Sequence, residues 1–213
     1  MSDPSKLPSI DFYFDFISPY GYFAAMKIEA LAEKYGHEVN WKSMLLGVSV
    51  LKKMGLKPLL STPLKGPYVQ KDVLRLATLY NLDFTFPTAG ISSPLASARA
   101  FYWVKKQDPK LASQYAKLVY QTQWAQGKDI ADHNLLAQLA GKVGLDGQKL
   151  KHEIDSDEIR DIVRKEVDES IKKGIFGSPT FMFDNEMIWG SDRLWMLEHL
   201  LKHGNFRAES IAS

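Results

Sequence analysis

Hydrophobic and polar positions alternate between two rhythms along the 213-residue chain. From Ile10 to Ile17 the period is two: Ile10, Phe12, Phe14 and Phe16 share one face, while Asp11, Tyr13, Asp15 and Ile17 share the other. This predicts a strand covered on both sides. Ser18-Pro19 then reads as an N-cap followed by proline at the first helical position, opening a helix predicted to run to about Tyr35 and stop at Gly36. A second strand is predicted over about 38–44. The β-α-β order makes the two strands parallel.

The next 120 or so residues change to a helical rhythm. Helices are predicted over 66–80, 93–106, 111–127, 132–144 and 157–173. Leu74, Ala77 and Leu79 are the apolar positions of the first, and Leu111, Tyr115, Leu118, Val119 and Thr122 of the third. In the last, capped by Ser156, Ile159, Ile162, Val163, Val167 and Ile171 form the stripe. After Gly174 the period returns to two. Phe181-Met182-Phe183 and Met187-Ile188-Trp189, joined at Asp184-Asn185, predict a tight antiparallel hairpin. Ser191 or Asp192 then caps a final helix, Arg193 to Lys202. The succession is α/β: a thioredoxin-like fold with a large all-helical insertion. Its divisions are a first thioredoxin-like part over 8–50 (β-α-β), the insertion over 51–173, a second part over 174–204 (β-β-α), and a tail over 205–213.

Composition narrows the chemistry. The 27 basic and 25 acidic residues nearly balance, which argues against nucleic-acid binding or membrane-surface binding by bulk charge. No apolar run approaches the roughly 18 residues of a membrane span, and the polar N-terminus lacks the apolar core of a signal peptide, so the expected location is cytoplasmic. The chain has no cysteine, which removes disulfides, cysteine–metal sites and every cysteine-based redox mechanism.

Three turns remain as candidate sites. At Ser18-Pro19-Tyr20-Gly21 a strand enters a helix, where free N–H groups and the helix dipole favour an anion. Ser18 is an ordinary N-cap or, on the functional reading, a hydroxyl that donates to a thiolate brought by a ligand, with glutathione the obvious owner of that sulfur. A thiol of pKa about 8.5 is roughly 3% ionised at pH 7, and a charge-assisted hydrogen bond with the dipole lowers it by about 1 to 3 units. At Gly177-Ser178-Pro179-Thr180 a proline opens a strand and suits a cis peptide, leaving the Ser178 backbone to pair with an extended peptide; an ordinary trans proline is the other reading. At Trp189-Gly190-Ser191-Asp192-Arg193, Gly190 and Ser191 suit a carboxylate and Asp192 an ammonium, or the segment is plain capping. His199 and His203 read as surface residues without a third metal ligand. Trp103, Trp124 and Tyr120 read as helical core, and Lys65 and the Lys52-Lys53 pair as solvated, with Lys65 in reach of an anionic ligand.

Taken together, Asp11 to Tyr20, Lys65-Gly66-Pro67-Tyr68, Phe86-Pro87, Phe176 to Thr180 and Trp189 to Leu194 resemble, in order, the family of 2-hydroxychromene-2-carboxylate isomerases and kappa-class glutathione transferases. The resemblance implies a DsbA-like thioredoxin fold, a homodimer and glutathione as cofactor. It implies that Ser18 activates the glutathione sulfur, and that Lys65, Ser178, Pro179, Gly190, Ser191 and Asp192 bind the tripeptide. Phe16 and Tyr20 would then line the pocket for a small aromatic or electrophilic substrate. Two departures stand out: Leu56-Lys57-Pro58-Leu59 lacks an asparagine found in relatives, and Thr88-Ala89-Gly90 lacks the larger residues of the naphthalene-pathway isomerases. Three functions follow: a glutathione-dependent isomerase, a glutathione transferase or peroxidase using the same thiolate, or a non-enzymatic peptide-binding protein.

Overall fold

The computed structural model describes residues 7–207; residues 1–6 of the polar N-terminus and 208–213 of the tail expected over 205–213 lie outside the described residues. Four strands form one mixed sheet, β1 (Ile10–Phe14), β2 (Val39–Ser43), β3 (Thr180–Phe183) and β4 (Glu186–Trp189), in the order β2-β1-β3-β4. β1 and β2 are parallel, with Ile10 opposite Val39, and β3 and β4 are antiparallel, with Thr180 opposite Trp189. The hairpin turn is two residues long. Asp184 and Asn185 both take positive φ, 48° and 64°, the left-handed pair that matches strand twist in a type I′ turn.

Nine helices accompany the sheet among the described residues: α1 (Pro19–Ala25), α2 (Ile28–Lys34), α3 (Lys65–Tyr80), α4 (Leu95–Gln107), α5 (Ala112–Trp124), α6 (His133–Lys142), α7 (Gly147–Glu153), α8 (Asp157–Lys172) and α9 (Leu194–His203). Several predicted boundaries move. β1 stops at Phe14 because Asp15 folds the chain back: its Oδ1 accepts from Ile17 N and its carbonyl from Ser18 N. The first helix is two, divided at Met26-Lys27, where the Lys27 ammonium lies over the Tyr80 ring. A π-helical segment (Gly47–Lys53) and α7 were not predicted; α7 is capped by Asp146, which accepts from Gln148 N and Lys149 N.

The predicted stripe of α3 is also corrected. Leu74 and Leu79 are exposed, and the buried positions are Gly66, Val69, Val73 and Ala77. The α5 and α8 stripes hold, with Tyr115 and Val119, and Ile159, Val163 and Val167, in the core. One apolar cluster joins the sheet face of Phe12, Phe14 and Phe181 to Tyr115, Tyr120, Trp124 and Leu136 of the helical block. Tyr13, on the opposite face, packs with Met44 and Ile175, so β1 is covered on both sides.

Candidate functional site

The turn between β1 and α1 is held by hydrogen bonds to segments distant in the chain. Ser18 is 5% exposed. Its Oγ accepts from Gly21 N at 3.0 Å, as an N-cap does, and donates to the carbonyl oxygen of Ser178 at 2.9 Å. Ser18 thus caps the helix and gives its one hydrogen to Ser178. Ser178 precedes Pro179 through a cis peptide bond. Its hydroxyl accepts from Asp15 N at 2.9 Å. The expected free carbonyl of Ser178 is thus engaged by Ser18.

Asp15, which sequence reasoning passed over, is the junction of the turn and has no exposed surface. Its Oδ2 accepts from Leu46 N at 2.7 Å and its Oδ1 from Ile17 N at 3.2 Å. Burial pushes its carboxyl up to about 7, while the N–H groups of Leu46 and Ile17 pull the other way. From α5, Tyr120 Oη donates to Asp15 O at 2.9 Å and Trp124 Nε1 to Phe16 O at 2.8 Å. Asp15 was legible only as a carboxylate on an aromatic strand. The carbonyls it and Phe16 present to α5 have no sequence signal.

The third turn meets the first. The 3-10 turn Ser191–Arg193 packs against α1, and Ser191 is buried. Neither Ser191 nor Asp192 makes the expected side-chain cap of the final helix, because that turn intervenes. Gly190 has φ 109° and donates its N–H to Pro179 O at 3.0 Å, so the segments of Pro179 and Ser191 are adjacent. Asp192 is exposed beside Arg193, Nη1 to Oδ1 3.5 Å. Tyr20 donates to Asp72 Oδ2 at 2.8 Å; burial, then Asp72, then the more remote Tyr68 and Asp192 raise its phenol.

Two expectations change. Phe16 has no exposed surface and packs on Phe14 and Tyr120, so it is core rather than a pocket wall. Lys65 opens α3, is exposed, and has no interaction with Ser18 among the described residues. The His199 and His203 rings lie 4.5 Å apart, tilted by 31°, and no group of three or more potential metal ligands occurs among the described residues.

A family model for the DSBA-like thioredoxin domain matches residues 9–202. The chain belongs to this family. It is 30% identical to 2-hydroxychromene-2-carboxylate isomerase of Sphingobium xenophagum over 91% of this chain and 97% of that protein. It is 25% identical to glutathione S-transferase kappa 1 of Rattus norvegicus over 90% of each. The solved structure of a 2-hydroxychromene-2-carboxylate isomerase superposes with a TM-score of 0.81 at 28% identity, covering 92% of this chain and 95% of that one. The fold is therefore the DsbA-like thioredoxin fold, and the relatives are enzymes by name. No helix among the described residues is long and apolar enough to cross a membrane.

Proposed function

We propose that this protein is a glutathione-dependent isomerase resembling 2-hydroxychromene-2-carboxylate isomerase, in which Ser18 stabilises the thiolate of bound glutathione. The observation that carries the reading is the Ser18 hydroxyl, a hydrogen donor at the strand-to-helix turn of a thioredoxin fold without cysteine. The thiolate adds to a conjugated carbonyl substrate, forming a C–S bond as the C=C electrons move to the carbonyl oxygen. Rotation follows about the bond made single. The enolate then re-forms the C=C and expels the thiolate, so glutathione is regenerated.

In this reading Ser178 and Pro179 hold the cysteinyl backbone, Gly190, Ser191 and Asp192 hold the γ-glutamyl end, and Lys65 supplies a cation at the rim. The adjacency of the Pro179 and Gly190 segments supports that division. Tyr20 remains a candidate for the small-molecule pocket. The protein acts as a cytoplasmic homodimer, with 51–173 forming the insertion between the thioredoxin-like parts at 8–50 and 174–204.

The test is thiolate absorbance as glutathione is titrated into the protein between about pH 5 and pH 9. A thiolate band well below the solution pKa, absent in Ser18→Ala, is the expected result. The same thiolate serves a kappa-type transferase or peroxidase, a reading favoured by the similarity to the rat enzyme. Stoichiometric consumption of glutathione during turnover distinguishes it from the isomerase. Binding of extended peptides without any thiolate band would put the non-enzymatic reading first.

A further inference from the structure

We infer that the site activates only thiols that carry an amide N–H one carbon away from the thiol-bearing carbon, because that N–H takes over the Ser178 carbonyl and so releases the Ser18 hydroxyl to the sulfur. The inference deepens the glutathione reading and rests on it.

A serine hydroxyl has one hydrogen. Here it is given to Ser178 O at 2.9 Å, and the oxygen accepts from Gly21 N at 3.0 Å. A thiolate only accepts. Ser18 therefore cannot serve the sulfur while it serves Ser178. Nor can the carbonyl move aside freely: the Ser178 side chain is held by Asp15 N at 2.9 Å, and its hydroxyl also interacts with the buried Tyr120. Among the described residues the Ser178 carbonyl oxygen accepts from Ser18 alone.

Turning Ser18 away without a replacement leaves that carbonyl unpaired in a largely buried turn, which costs a ligand about 10- to 100-fold in binding. A cysteinyl residue supplies the replacement in the right place. Its amide nitrogen and sulfur are three bonds apart, roughly 3 Å in a gauche rotamer. The hydroxyl and carbonyl oxygens they would meet are 2.9 Å apart. One ligand residue thus spans both atoms, donating to Ser178 O and accepting from Ser18 Oγ. A simple alkyl thiol meets a hydroxyl already engaged.

The decisive experiment labels the serine carbonyls with carbon-13 and proline nitrogen with nitrogen-15, which selects Ser18-Pro19, Ser93-Pro94 and Ser178-Pro179 in the nuclear magnetic resonance spectrum. In the free protein, Ser18→Ala moves the Ser178 carbonyl signal. In the saturated glutathione complex the same substitution leaves it in place, because the ligand amide now supplies the bond. An equal displacement in both states overturns the inference.

A second arm uses the glutathione analogue in which an ester oxygen replaces the γ-glutamyl–cysteine amide N–H. Binding weakened tenfold or more, up to complete loss, with no lowering of the thiol pKa in whatever complex forms, is expected. The same lowering as with glutathione overturns it. If glutathione itself fails to bind, the glutathione reading falls and the selection falls with it. A lowered thiol pKa with an unchanged carbonyl response removes the exchange alone.

Discussion

Tyr120 places its hydroxyl 2.9 Å from the carbonyl oxygen of Asp15, joining helix α5 of the insertion to the turn that holds Ser18 across 105 residues of chain. The ring is fully buried and packs on Phe14, Phe16 and Tyr22. Tyr120→Phe keeps that packing and removes the hydroxyl's bond to Asp15 O and its interaction with the Ser178 side chain, while Asp15 O retains Ser18 N. The expected cost is about 1–2 kcal/mol, read as a lower urea midpoint with an unchanged slope. An unaltered midpoint would show that α5 does not brace the turn through this bond.

Gly21 sets a second prediction. A Cβ there would lie 2.5 Å from Tyr120 Oη, 3.0 Å from Ser178 Oγ and 3.2 Å from Ser18 Cβ. Alanine gains up to about 1 kcal/mol over glycine in a helix, but overpacking costs about 1–3 kcal/mol, and here the nearest atom belongs to a buried ring with no room to swing. Gly21→Ala should therefore lower thermal stability and displace Ser18 enough to weaken the thiolate signal of bound glutathione. A raised melting temperature would refute the crowding argument.

The buried carboxyl of Asp15 makes stability depend on pH in the less usual direction. Its folded pKa, about 7, lies above the 3.8 of a free aspartate carboxyl. The folded chain thus keeps a proton that the unfolded chain releases. This contribution is fully present below the unfolded pKa and is lost as pH rises through the folded one. Unfolding free energy is expected to fall by about 2–3 kcal/mol between about pH 5 and pH 8 from this residue. Asp15→Asn leaves Glu29 and Glu198, whose partners lower them, untouched. The variant should be less stable, since one amide oxygen cannot serve both Leu46 N and Ile17 N, yet flatter with pH. Equal slopes in both proteins would remove Asp15 as the cause.

Two helix starts differ in a measurable way. Asp146 Oδ1 accepts from Gln148 N at 2.9 Å and Lys149 N at 3.1 Å, whereas Ser156 Oγ accepts from Ile159 N at 3.4 Å. Asp146→Ala is expected to cost about 1–2 kcal/mol and Ser156→Ala about 0.5–1 kcal/mol in chemical denaturation. The reverse order would show that the shorter helix α7 frays without penalty.

What the sequence revealed and what it hid follow from how each feature is encoded. The hairpin was legible because Asp184-Asn185 is local turn chemistry between alternating runs, and the cap at Ser156 for a similar reason. Ser18 was legible because Ser-Pro marks a helix start, and Pro179 because it opens a strand. Asp15 was not: its role depends on Leu46, Tyr120 and Ser178, none of them near in sequence. Phe16 failed as a pocket residue because α5 covers it, a tertiary fact. The stripe of α3 was misread because Leu74 and Leu79 looked like core by composition, while the smaller Gly66, Val69, Val73 and Ala77 face inward. Helix α7 is only seven residues long and buries Leu150 alone, too little for an apolar stripe to mark it.

The turn around Ser18 draws on Leu46, Tyr120 and Ser178, so its parts leave the ribosome far apart in time. The first β-α-β unit emerges early, yet its serine waits for the hairpin at Thr180–Trp189 before its hydroxyl meets the Ser178 carbonyl. Chains interrupted before Gly177 carry the motif without the partner that orders it. Completion of the hairpin is therefore what assembles this turn: a nascent or truncated chain has the serine but not the carbonyl that receives its hydrogen.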